Sequence, residues 1–239
     1  MKLVFYAPDG VGDKLLVAAV MGGAKVHGDV VQYICTEHYR GVSDNADVAA
    51  CYGVRASTRI ILDAYRRAGK RTLYFDKGFW GRGTYTRIAV DAWQPTAYFR
   101  RGQPSDRLRA SGLELKAWRA PADDKALIYA ATTQTWHDFY DLGPARATDE
   151  LIIAALVAEN PLRRVVYRPR PGYAIKHPEL CQVIEGAESS ACANLAEELV
   201  DCQRLVTIGS NAAVEALAAG VPVSILGPDH PCRALPVAD

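Results

Sequence analysis

Leu205-Val-Thr-Ile-Gly-Ser-Asn-Ala-Ala-Val-Glu-Ala-Leu-Ala-Ala-Gly-Val-Pro-Val-Ser-Ile-Leu-Gly227 decides the fold class. The apolar run Leu205 to Ile208 reads as a strand that ends at Gly209. Ser210 and Asn211 are good caps for an Ala-rich helix that closes at Gly220, and a second strand follows the Gly-Val-Pro break. Strand, polar turn, helix and strand form the repeating unit of an α/β sheet. In such sheets ligands bind at the carboxyl edge, where helix N-termini favour anions, so Gly209, Ser210 and Asn211 are candidate phosphate-binding residues. The amides of Ser210 to Ala213 are expected to be free there. Glu215 lies within the first turn and a half. A capped helix in an α/β core with no ligand fits the same residues.

Working outward, the amino-terminal half alternates strand and helix patterns. Leu3 to Ala7, Val31 to Cys35, Ala49 to Val54 and Thr72 to Phe75 read as strands, with helices over Leu15 to Met21 and Ser57 to Ala68. Gly10 and Gly12 give a single G-x-G, weak support for a dinucleotide loop. From Gly78 to Leu113 the pattern is irregular and rich in glycine and aromatic residues. Ala120-Pro-Ala-Asp-Asp-Lys125 reads as a linker. Beyond it come a strand (Ala126 to Ala131), a helix (Thr148 to Ala158), a strand (Arg164 to Tyr167), a helix (Cys192 to Asp201) and the Ser210 unit. The expectation is an α/β protein of two Rossmann-like halves facing across a cleft, with domains at 1–119 and 120–239.

At 239 residues, 49% hydrophobic and 23% charged, the chain is long enough for a full core, and its composition argues against disorder. Its apolar runs are far shorter than the roughly 18 to 20 residues that span a bilayer, and Met1-Lys-Leu-Val-Phe-Tyr6 runs straight into a strand pattern, so a cytoplasmic protein is expected. Cys35, Cys51, Cys181, Cys192, Cys202 and Cys232 form no C-x-x-C pair, which points to buried thiols rather than zinc or disulfides. The net charge of +1 hides an asymmetry: Arg66 to Arg119 holds thirteen basic and four acidic residues, a local +9. Aromatic residues interleave with these cations, a composition suited to a nucleic acid or nucleotide and equally to a core with a solvated basic face.

Polar residues concentrate in four loops expected at carboxyl edges: Asp76-Lys-Gly-Phe-Trp-Gly-Arg82, Thr132-Thr-Gln-Thr-Trp-His-Asp138, Arg168-Pro-Arg-Pro171 and Gly209-Ser-Asn211. In the third, prolines stiffen the backbone around two guanidinium groups, an arrangement suited to a phosphate or carboxylate.

Together these pieces resemble the capsule polysaccharide biosynthesis family, the Kdo-transferase-like glycosyltransferases with two Rossmann-like domains (GT-B-like). The resemblance runs from about residue 72 to residue 232. Tyr74-Phe-Asp-Lys-Gly-Phe-Trp-Gly-Arg-Gly-Thr-Tyr-Thr-Arg-Ile88 is similar to the family's acidic-Gly-aromatic loop and the strand after it, with Asp76, Gly78, Arg82, Thr86 and Asp91 at the comparable places. Leu127 to Asp138 resembles a strand ending in a Gln and an acid, here Gln134 and Asp138. Asn160-Pro-Leu-Arg-Arg-Val-Val-Tyr-Arg-Pro-Arg-Pro171 resembles the "Asn-Pro … Lys-Pro-His-Pro" signature, and Thr207 to Val223 resembles "Thr-x-x-Ser … Glu-Ala-Leu-x-x-Gly-x-x-Val". Gly227-Pro-Asp-His-Pro231 stands where the family has a Gly-x-Pro-Phe-Tyr turn. The family's Lys and His are Arg168 and Arg170 here, which keeps the charge and removes the imidazole. The chain is also short for the family.

The resemblance implies an inverting transferase with a nucleotide-activated sugar as donor substrate and no separate cofactor. Arg168, Arg170, Gly209, Ser210 and Asn211 would hold the donor phosphate, and Glu215 the ribose. An inverting transfer needs a base at the acceptor hydroxyl and positive charge on the departing phosphate. Asp76 is the first choice for the base, with Asp91 and Asp138 next. Lys77, Phe79, Trp80, Arg82, Arg87, Trp93, Gln134 and His137 are the acceptor-side candidates. The cations are expected to stand in for a metal, and there is no D-x-D motif. Two acceptors fit the +9 segment: a modified base in DNA, as in viral (bacteriophage) DNA hypermodification, or an anionic saccharide. The alternative is a non-catalytic nucleic-acid or nucleotide-binding module on the same fold.

Overall fold

The computed structural model describes residues 1–8, 14–78, 85–93, 109–120, 124–228 and 230–234. The chain divides into two compact units, Met1–Phe99 and Arg100–Asp239. This division falls earlier than the linker at 120–125. Residues 113–120 pack on the second unit: the Lys116 amide donates to the Ala218 carbonyl at 2.8 Å and the Arg119 amide to Gly220 at 2.9 Å. Gly220 is needed there, because its φ is +73° and a Cβ would stand 2.0 Å from the Ala117 oxygen.

In the first unit, β1 (Lys2–Ala7), α1 (Lys14–Val26), β2 (Val30–Cys35), β3 (Val48–Tyr52), α2 (Ala56–Arg67), β4 (Arg71–Lys77) and β5 (Thr86–Val90) follow in order. The sheet order is β2-β1-β3-β4-β5, with β5 antiparallel to β4 and the other pairs parallel. All five residues of β3 are buried, as a central parallel strand requires. Helix α1 runs on past Met21 through Gly22 and Gly23, which the propensity reading took as its end. Strand β5 lies in the stretch expected to be irregular.

The second unit contains β6 (Ala126–Ala130), α3 (Gln134–Tyr140), α4 (Ala145–Glu159), β7 (Val165–Arg168), α5 (Pro171–Ala174), β8 (Glu188–Ser189), α6 (Leu195–Glu198), β9 (Cys202–Thr207), α7 (Ala212–Ala218) and β10 (Val223–Ile225). Its sheet, β10-β9-β6-β7-β8, is parallel throughout. Each unit is thus Rossmann-like. Residues of β6 alternate between two apolar layers: Ile128 and Ala130 pack toward α6 and α7, and Tyr129 toward α4. The helix expected over Cys192 to Asp201 is only α6 and a 3-10 turn, Leu199–Asp201, because the Asn194 side chain caps it late by accepting from the Glu197 amide at 3.0 Å.

Candidate functional site

Strands β6, β7 and β9 bring three of the four polar loops to one edge of the second sheet. At the end of β9 the Thr207 hydroxyl donates to the Ala130 carbonyl at 2.7 Å and accepts from the amides of Ser210 at 2.9 Å and Gly209 at 3.3 Å. It joins the ends of β6 and β9 and folds the turn between them. Inside that turn the Ser210 Oγ accepts from the Ala212 amide at 3.3 Å and the Ser210 carbonyl from the Ala213 amide at 3.1 Å. Of the amides expected to be free, those of Ser210, Ala212 and Ala213 are therefore engaged. Asn211 already has helical geometry (φ −59°, ψ −15°), so its side chain makes no cap bond. The Ser210 hydroxyl and the Asn211 amide group are the donors this turn retains. Glu215 is exposed on the first turn of α7.

Sequence reasoning took Thr132 to Asp138 as a loop; it contains α3. Gln-Thr-Trp-His-Asp-Phe-Tyr is poor in strong helix formers, and the helix starts because the Thr133 side chain accepts from the Trp136 amide. Gln134 and Asp138 share one face at i and i+4. The Gln134 side chain donates to one Asp138 carboxylate oxygen at 2.8 Å and to the Gly143 carbonyl at 3.3 Å, and accepts from the Ala145 amide at 2.8 Å. This pins an exposed carboxylate on a fixed side chain. Gln134 is the only hydrogen-bond partner of that carboxylate among the described residues.

His137, expected on the acceptor side, has no exposed surface, and neither ring nitrogen makes a hydrogen bond among the described residues. Burial lowers its pKa, against the smaller opposing pull of the Asp138 charge. A fully buried imidazole touches no substrate, so its place is in the core.

The two arginines after β7 are not equivalent. Arg168 turns inward and donates to the Ser190 hydroxyl at 2.6 Å, the Glu198 carboxylate at 2.8 Å and the Cys192 carbonyl at 3.0 Å. The expectation that it faces a phosphate is corrected by Glu198, a partly buried acid on α6 that claims its guanidinium. Arg170 is exposed at the start of α5. Two residues on from Pro171, Tyr173 meets the β6 loop: burial pushes its hydroxyl pKa up, the Gln134 backbone amide pulls it down, and the Asp138 charge adds a further rise. The β6 and β7 loops therefore meet at Gln134.

Both candidate acids of the first unit have cationic partners. Asp76, the first choice for a base, pairs with Arg87 across the β4–β5 ladder and also accepts from the Lys77 amide at 2.8 Å and the Tyr74 hydroxyl at 3.3 Å. Asp91 bonds Arg71 at 2.6 Å and the Thr72 amide at 2.7 Å, closing the hairpin. Both read as structural acids, because the antiparallel strand β5 delivers Arg87 opposite Asp76. Trp93 has Arg66 over one face of its ring at 3.9 Å and Tyr74 in an edge contact, so that face is occupied within the unit. Lys77 is exposed. Phe79, Trp80 and Arg82 lie outside the described residues. No group of three or more His, Cys, Asp or Glu among the described residues is gathered to hold a metal ion, and no described helix is long and apolar enough to cross a membrane.

No protein-family model and no curated protein sequence matches the chain. Solved structures do. One, from Thermosulfurimonas dismutans, is the β-Kdo 2,4 transferase of KpsC, with a TM-score of 0.61 and 14% identity over 95% of this chain and 80% of that one. The chain has the fold of the KpsC Kdo transferases. The KpsC β-Kdo 2,7 transferase of the same organism is also similar, with a TM-score of 0.52 and 15% identity over 98% of this chain and 80% of that one. The fold class is therefore α/β and GT-B-like, with two Rossmann-like halves.

Sequence reasoning missed Thr207, Glu198, Tyr173 and Trp136. Gly209 directly after a strand was a usable signal for the last, since a Cβ there would stand 2.0 Å from the Trp136 ring.

Proposed function

We propose that the protein is a glycosyltransferase using a nucleotide-activated sugar, and that the second unit binds the donor. The observation that carries this reading is the exposed Asp138 carboxylate, fixed by Gln134 at the carboxyl edge of a parallel sheet, the edge that also carries Arg170 and the Ser210 turn. The likeness to KpsC supports it as a matter of fold. Arg170, the Ser210 hydroxyl and the Asn211 amide group neutralise the departing phosphate without a metal, and the exposed Glu215 accepts from the ribose hydroxyls.

Asp138 acts as general base. It takes the proton of the acceptor hydroxyl as that oxygen bonds the anomeric carbon and the carbon–phosphate-oxygen bond breaks, with inversion. The acceptor is a saccharide hydroxyl. Five cations of the basic segment already serve the fold: Arg66, Lys70, Arg71, Arg87 and Arg119 hold side chains or carbonyls of their own unit, which reduces the charge available to a DNA backbone.

Calorimetry with CMP, UDP and dTDP tests the donor site: one nucleotide binds, and Arg170→Ala weakens it about tenfold. No binding by any of them overturns the reading. Salt-steep binding of duplex DNA would replace the saccharide acceptor. Product stereochemistry tests the base, because retention would make the same carboxylate a nucleophile instead.

A further inference from the structure

Trp136 is a half-buried indole at the same edge that no step above uses. It is placed rigidly. Its amide is capped by Thr133, Tyr140 backs its ring with centroids 4.5 Å apart, and its Cζ2, Cε2 and Cη2 atoms lie directly over Gly209, where a Cβ would come within 2.0 to 2.7 Å of them. Any side chain at 209 would displace the ring. Gly209 thus serves the indole rather than a close approach of phosphate to the backbone.

We infer that Trp136 is the stacking wall for the transferred sugar ring, a specificity-determining contact of the donor site; this rests on the reading of that site given above. The argument is one of order. A nucleotide-sugar runs base, ribose, phosphate, sugar carbon. On the protein, Glu215 lies on α7 beyond Ser210, Ser210 lies on the turn, and Trp136 bridges that turn to α3, which carries Asp138. With ribose at Glu215, phosphate at Ser210 and the reacting carbon at Asp138, the group beside the indole is the sugar. Rings present C–H faces that pack on an aromatic surface, and a wall fixed by Gly209 and Tyr140 loses little freedom when one binds.

The experiment compares, by calorimetry, CMP, UDP and dTDP with a sugar-bearing form of each, on wild type, Trp136→Ala, Trp136→Phe and Gly209→Ala. Thermal melting shows which variants fold. The expected result is that the sugar adds affinity in the wild type. Trp136→Ala removes about fivefold to tenfold of it and leaves the bare nucleotide unchanged, Trp136→Phe keeps part of it, and Gly209→Ala loses it with the indole still present. Equal weakening of nucleotide and nucleotide-sugar would put the base or the phosphate at the indole and overturn the inference while sparing the donor site. The inference also falls if the folded Phe and Gly209→Ala variants match wild type on both ligands. No binding of any nucleotide to wild type overturns the donor-site reading and this inference together.

Discussion

Asp76 and Asp91 of the first unit are held in the opposite way from Asp138 and Asp149 of the second. In the first, Asp76 and Asp91 each face an arginine delivered by strand pairing, Arg87 and Arg71. In the second, Asp138 is held by the Gln134 amide, and the buried Asp149 on α4 is held by the hydroxyls of Tyr129 at 2.6 Å and Tyr167 at 3.1 Å. Removing a carboxylate locked to a guanidinium leaves a partly buried cation behind, whereas removing one held by neutral donors does not. Residue type and loop position did not separate the two groups; the partner did.

The largest expected effect breaks the comparison at the site. Asp138→Asn keeps the Gln134 contact and removes the base, so transfer falls by about 10² to 10⁴-fold with the melting temperature unchanged. Asp76→Asn does the reverse: it leaves Arg87 without its charge partner, costs the first unit about 1–3 kcal/mol and spares turnover of the folded enzyme. Steady-state rates and urea unfolding on the two variants check this. Equal turnover of Asp138→Asn and wild type would remove Asp138 from the reaction.

The same contrast sits within one tetrapeptide. Arg168 is buried and Glu198 partly buried against it, so Arg168→Ala, which leaves the acid without its cation, should destabilise the second unit by up to about 3 kcal/mol. Arg170→Ala should leave stability within about 0.5 kcal/mol, as exposed substitutions do, and appear in donor affinity alone. A stable Arg168→Ala protein with weakened donor binding would return Arg168 to the phosphate.

What could be read from the sequence follows from the range of the forces involved. The alternation of strands and helices, the Gly220 turn and the two-unit plan are local, period-driven signals, and they agree with the structure. Helix α3 was hidden because its stability comes from Thr133, Gln134 and packing of Trp136 on Gly209 rather than from propensity. The fate of each charged candidate depended on long-range partners: Arg168 on Glu198 thirty residues on, Asp76 on a strand read as irregular. No spacing rule carries such a pairing. Most of the free amides expected at Ser210 to Ala213 are taken for a nearer reason: Thr207 accepts from Ser210 three residues away, and Ser210 itself from Ala212 and Ala213.

Asp149 gives the smallest and most quantitative test of the neutral-partner idea. Burial raises its pKa from 3.8 to about 6, and the hydroxyls of Tyr129 and Tyr167, with Arg146 farther off, recover only part of that cost; Glu150 adds to it. The folded pKa lies above the unfolded one, so the folded state binds the proton more tightly. The contribution is complete below about pH 4, is lost as pH rises from there through about 6, and is flat above, amounting to about 3 kcal/mol at most. Amide exchange in β6 and β7, corrected for its intrinsic pH dependence, should show that loss, and Asp149→Asn should flatten it. Removing Glu198 from its arginine should produce no such window, because a destabilised ion pair is lost at every pH where both groups are charged. Stability of β6 and β7 that climbed between pH 4 and 6 would mean the tyrosine hydroxyls stabilise the carboxylate as effectively as a guanidinium does, and the distinction drawn between the two units would fail.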